Sequence, residues 1–122
     1  MTHILIIDDD KFLATMLKQA LEKNTKHYIE AVFGTHDAFP LLQENTYDLV
    51  VTDMRMPGLN GFDVIDYLKQ AQPDCRIIAM SAGSKTLDSD TTLFAVSQQA
   101  DKTLSKPFEV DTLLGAINEL VS

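Results

Sequence analysis

An α/β fold, a parallel sheet with helices packed on both faces, is what this 122-residue chain predicts. The observations behind it are short apolar runs, helical periodicity between them, and acidic or hydroxyl residues closing several of the runs. The runs fall at 3–8, 28–33, 48–53, 75–81 and 102–105. Runs of this kind suit strands buried on both faces, and their interleaving with helix-length stretches is the pattern of successive βα units.

Taken in order, Ile4 to Ile7 form the first strand and end in Asp8, Asp9 and Asp10. Phe12, Leu13, Met16, Leu17, Ala20 and Leu21 then recur as pairs one turn apart, which predicts an amphipathic helix. The helix after Thr35 contains Pro40, which lacks an N–H and crowds the preceding turn, so a short or distorted helix is expected. The third run closes in Asp53, and after Gly61 a helix carries Phe62, Ile65 and Leu68 on one face and stops before Pro73. The fourth run closes in Ser81; a polar connection over 84–92 and a short helix over 93–99, with a thin stripe of Leu93 and Val96, follow it. After the fifth run, Val110, Leu113, Leu114, Ile117, Leu120 and Val121 set the last helix.

Length and composition fit one soluble domain over residues 1–122, with 45% hydrophobic and 23% charged residues. No apolar stretch is long enough to cross a bilayer and no signal-peptide pattern follows Met1, so a cytoplasmic protein is expected. A net charge of -8 argues against nucleic acid as a partner of this chain, because phosphates would be repelled; a protein or a cation fits better. Cys75 has no second cysteine to pair with and reads as a reduced thiol without a chemical role. Met1 and the close of the last helix at the chain end favour a free-standing protein over a piece of a longer one.

The chemistry lies where the runs end. Carboxylates and hydroxyls at the carboxyl ends of buried strands converge on the sheet edge where open α/β folds bind ligands. Asp8, Asp9 and Asp53 brought together there would repel one another unless a hard cation joined them, and oxygen ligands of this type suit Mg²⁺. Asp10 reads as the cap of the first helix.

Asp8-Asp9 after the first strand, Asp53 with Pro57 and Gly61, Ser81-Ala82 after the fourth strand and Lys106-Pro107-Phe108 after the fifth resemble the response-regulator receiver domains of two-component signalling, over the whole chain. The resemblance implies a flavodoxin-like strand order of 2-1-3-4-5 in a three-layer (βα)5 fold. It implies that Asp53 accepts a phosphoryl group from a histidine kinase or histidine phosphotransfer protein, with Mg²⁺ held by Asp8, Asp9, Asp53 and the backbone carbonyl of Arg55. Lys106, next to a cis bond to Pro107, would face the acceptor carboxylate, and Ser81 would move inward to donate to a phosphoryl oxygen. Such a chain is not an enzyme with a separate substrate; it promotes its own phosphorylation and slow dephosphorylation. The resemblance places its downstream protein partner on the face made by the 93–99 helix, the fifth strand and the last helix.

Some positions depart from that pattern. Thr103 stands where the family has an inward-swinging Tyr or Phe, so coupling runs through loop and backbone movement or the output surface responds weakly. Gln99 stands where a helix-ending Gly is common, at a cost of about 1 kcal/mol if it were left-handed. Arg55 and Gly83 border the path of a water attacking an acyl phosphate. A docking module that signals without phosphorylation is the alternative that Thr103 favours. Asp8-x-Asp10 is also similar to the acidic motif of haloacid-dehalogenase-type phosphatases, but Phe12 replaces their hydroxyl residue and the chain is short for one. A flavin-binding reading fails because no hydroxyl- and Gly-rich loop follows the first strand.

Overall fold

The computed structural model describes residues 2–54, 61–82 and 99–121. Within them five strands, β1 (His3–Ile7), β2 (Tyr28–Val32), β3 (Leu49–Asp53), β4 (Arg76–Ala82) and β5 (Lys102–Lys106), form one parallel sheet in the order β2-β1-β3-β4-β5. Between and after them lie α1 (Lys11–Asn24), α2 (Thr35–Glu44), α3 (Gly61–Ala71) and α4 (Val110–Leu120). The predicted α/β class and strand order are those observed. The connection at 84–92, Gly83 and most of the 93–99 helix lie outside the described residues. Gln99 is described, and it does not adopt a left-handed conformation, since no described non-glycine residue has positive φ.

Alternation along the central strands divides the core in two. Leu5, Ile7 and Val50 face Ala38 and Leu42 of α2 and Val64, Ile65 and Leu68 of α3. Ile4, Ile6, Leu49 and Val51 face Ala14, Leu17 and Leu21 of α1 and Leu113 and Ile117 of α4. Right-handed crossovers account for this sorting, because the chain steps outward from β1 to β2 and then passes back beyond β1 to β3. That reversal leaves a crevice at the carboxyl ends of β1 and β3.

In two helices the structure adds detail that the sequence pattern lacks. In α1 the buried residues are Ala14, Leu17 and Leu21, while Phe12 is 82% exposed and Met16 also faces solvent. The helix has more apolar residues than its contact stripe needs, and the small Ala14 is what lets it approach the sheet. Helix α2 is ten residues long, the shortest of the described helices, and continues through Pro40. The carbonyl that loses its partner there is that of His36, an exposed residue, so water can serve it.

Candidate functional site

Ile7 pairs with Thr52 across β1 and β3, so the next residues, Asp8 and Asp53, emerge side by side at the crevice. Both are buried, Asp8 completely. Asp9 points to solvent, yet one carboxylate oxygen from each of Asp8, Asp9 and Asp53 lies within 4.8 Å of the others. Asp10 stays out of this group: its Oδ1 accepts the N–H of Leu13 at 3.1 Å and caps α1. That role removes the second acidic residue a dehalogenase-type phosphatase would need.

Local bonds fix the end of β3. Thr52 Oγ1 donates to the Asp53 carbonyl at 3.0 Å, the Met54 N–H donates to Met80 at 3.0 Å, and the Gly61 N–H returns to Met54 at 3.3 Å. The start of α3 is thereby folded back against the end of β3.

Lys106, at the end of β5, sends its ammonium into the cluster from the far side of β4. Its Nζ donates to Asp8 Oδ2 at 2.6 Å and lies 3.4 Å from Asp53 Oδ2. The nearer partner is therefore Asp8, while the ion pair expected with the Asp53 carboxylate is also made; side-chain reach across two strands is not readable from spacing. Burial opposes the charge on Lys106, but the hydrogen bond to Asp8 and the charges of Asp53 and Asp8 outweigh it and hold its pKa above the ordinary lysine value. The Lys106–Pro107 peptide is cis.

Ser81 is 8% exposed, and its Oγ has no hydrogen-bond partner. On β5 its register neighbour is Ser105, and Ala79 pairs with Thr103. Thr103 is exposed. Arg55 and Pro57 lie outside the described residues. Among the described residues the structure thus brings Asp8, Asp9, Asp53 and Lys106 together at the sheet edge and leaves Thr103 on the surface.

A family model for the response regulator receiver domain matches residues 4–118. The chain belongs to the response regulator receiver domains. The chemotaxis protein CheY of Bacillus subtilis is 33% identical over 124 residues, covering 100% of both chains. The DNA-binding transcriptional regulator NtrC of Azospirillum brasilense is 32% identical over 98% of this chain, which spans only 24% of that protein's length. Among solved structures, the Thermotoga maritima response regulator TrrA in complex with Mg²⁺ and BeF superposes with a TM-score of 0.83 at 27% identity, covering 99% of this chain and 100% of that one.

Receiver domains bind Mg²⁺ at an acidic pocket, and the donor set found here fits that ion. Three carboxylates at one point supply only hard oxygen ligands, with enough negative charge to need a divalent partner. As a receiver domain, the chain is a signalling module, and no helix among its described residues is long and apolar enough to cross a membrane.

Proposed function

We propose that residues 1–122 act as one phosphoacceptor unit, a cytoplasmic response regulator in which Asp53 takes a phosphoryl group from a phosphohistidine of a sensor kinase or histidine phosphotransfer protein. The observation that carries this reading is the meeting of Asp8, Asp9 and Asp53, with the Lys106 ammonium against two of them. A carboxylate oxygen of Asp53 forms a bond to phosphorus while the donor's N–P bond breaks and its electron pair leaves with the imidazole. Attack by water later releases phosphate and restores the carboxylate, slowly.

Asp8, Asp9, Asp53 and the backbone carbonyl of Arg55 are the ligands we assign to Mg²⁺. Once bound, the ion supplies positive charge that lets an anionic donor approach an anionic acceptor. Lys106 contributes a point charge that holds a phosphoryl oxygen. Ser81, whose buried hydroxyl has no partner, donates to another. Both contacts exist only in the phosphorylated form, so they bias the conformation and hence the binding of a downstream protein. The face we assign to that partner is formed by the 93–99 segment, β5 and α4.

The test is intact mass after incubation with acetyl phosphate and Mg²⁺, for the natural chain and for Asp53→Asn. A gain of one phosphoryl group in the first and none in the second supports the reading; a gain that persists in Asp53→Asn overturns the acceptor. The exposed, small Thr103 favours one other reading, a docking module that signals without phosphorylation, and no gain in either protein would select it.

A further inference from the structure

Thr52 puts a hydroxyl where the core has no packing use for one. It is completely buried at the penultimate position of β3 and, two residues after Val50, shares the strand face that packs on α2 and α3. Its register neighbours, Ile7 on β1 and Ala79 on β4, carry no polar side chain. Valine has nearly the same shape and suits a strand as well, and it would bring no polar atom into the core. A hydroxyl buried among such neighbours costs stability unless it is bonded, and Thr52 Oγ1 donates to the main-chain carbonyl of Asp53 at 3.0 Å. The same peptide is held at its other polar atom, because the Met54 N–H donates to the Met80 carbonyl at 3.0 Å.

We propose that Thr52 is a positioning residue for phosphoryl transfer: by holding the Asp53 carbonyl, its hydroxyl fixes the Asp53–Met54 peptide and, through it, the direction in which the Asp53 side chain leaves the strand. This role rests on the reading of Asp53 as the phosphoryl acceptor. Pairing of β3 with β1 ends at Ile7 and Thr52, so of the strands β4 alone is paired with Asp53. A rotation about the Asp53 Cα–C bond would swing its carboxylate relative to Asp8, Asp9 and the Lys106 ammonium, which stands 3.4 Å away. With the carbonyl held by Thr52 and the N–H held by Met80, that rotation is resisted at both ends of the peptide. An attacking oxygen depends on such precision, since a misplacement of about 1 Å costs about a hundredfold in rate. Thr52 touches neither the donor nor the phosphoryl group; it acts through the backbone of the residue that does.

The test follows phosphoryl uptake from acetyl phosphate and Mg²⁺ by intact mass over time in the natural chain, Thr52→Val and Thr52→Ser, with the carbonyl carbon resonance of Asp53 read by NMR in each. Thr52→Val is expected to take up the phosphoryl group about tenfold more slowly, with the Asp53 resonance displaced. Thr52→Ser, which keeps the hydroxyl, is expected to restore the rate to within about twofold and to return the resonance to its natural position. Should Thr52→Val not fold, Thr52→Ala removes the same hydroxyl and takes its place. A natural rate or an undisplaced resonance in a folded variant without the hydroxyl, or a loss in Thr52→Ser equal to that in Thr52→Val, overturns the positioning role and leaves Asp53 as acceptor. If the natural chain takes up no phosphoryl group, the acceptor reading falls and the role of Thr52 falls with it.

Discussion

Gly61 is pressed against the backbone of Asp53: a Cβ at Gly61 would stand 2.5 Å from the Asp53 carbonyl oxygen and 2.8 Å from the Met54 Cα. Backbone atoms cannot swing aside as a flexible side chain can. What requires a glycine here is the close approach of the start of α3 to the end of β3. Gly61→Ala should destabilise the fold by about 1–3 kcal/mol and lower phosphoryl uptake at Asp53, because the strand end must shift. Urea unfolding and acetyl phosphate labelling read the two effects; unchanged values in both would mean that the loop absorbs the methyl group.

Ser81 should separate stability from function. A buried hydroxyl without a partner is a cost to the resting fold, and trimming the side chain to the methyl group of alanine removes that cost. Ser81→Ala should therefore raise resting stability by roughly 1 kcal/mol while slowing phosphorylation of Asp53. A loss of stability on chemical denaturation would show that the hydroxyl is already satisfied, and an unchanged labelling rate would remove it from the chemistry.

The contrast between these two residues marks what was legible in the sequence. Strands were readable because Ile4 to Ile7 and Leu49 to Val51 are buried on both faces and so carry no polar residue. Asp8, Asp53, Ser81 and Lys106 were readable as a group because each lies at or next to a strand end on the same sheet edge. Distances between side chains were not: nothing in the spacing says that Lys106 prefers Asp8 to Asp53. Helix faces were only partly readable, since Phe12 and Met16 share the helical period of Leu17 and Leu21 without sharing their burial. One network at the opposite end of the sheet left no signal at all. Glu30 Oε1 accepts from the hydroxyl of Tyr47 at 3.0 Å and is paired with His3 Nε2 at 2.5 Å, and a glutamate in β2 looks in sequence like any solvated side chain.

Alkaline pH should unfold the chain from its buried proton donors. Burial, then the charges of Asp48 and Asp101, push the Cys75 thiol up to about 12 from an ordinary value near 9.0. Its folded pKa is raised, so the unfolded chain gives up this proton first, and stability falls as pH rises above about 9 by roughly 1.4 kcal/mol per pH unit. Lys106 acts in the same direction at higher pH: its contribution is present below the ordinary lysine value and is lost as pH rises through the raised one. Urea midpoints for the natural chain and Cys75→Ala should run parallel near neutrality, and the decline between pH 9 and 11 should be shallower in the variant. Parallel decline throughout would show that the thiol ionises while folded.

Gly115 offers the opposite test to Gly61. It lies inside α4, faces solvent, and has nothing within 4 Å of where a Cβ would go. No φ in the left-handed range protects it, so the glycine only adds freedom to the unfolded chain that folding must remove. Gly115→Ala should stabilise the protein by about 0.4–1 kcal/mol and leave labelling of Asp53 unchanged, since α4 packs through Leu113, Ala116 and Ile117 on its other side. Thermal unfolding measures the gain. Since the proposed partner face includes α4, a stabilised variant that labels normally but loses a downstream protein would place Gly115 inside that contact, where a partner approaches too closely for a methyl group.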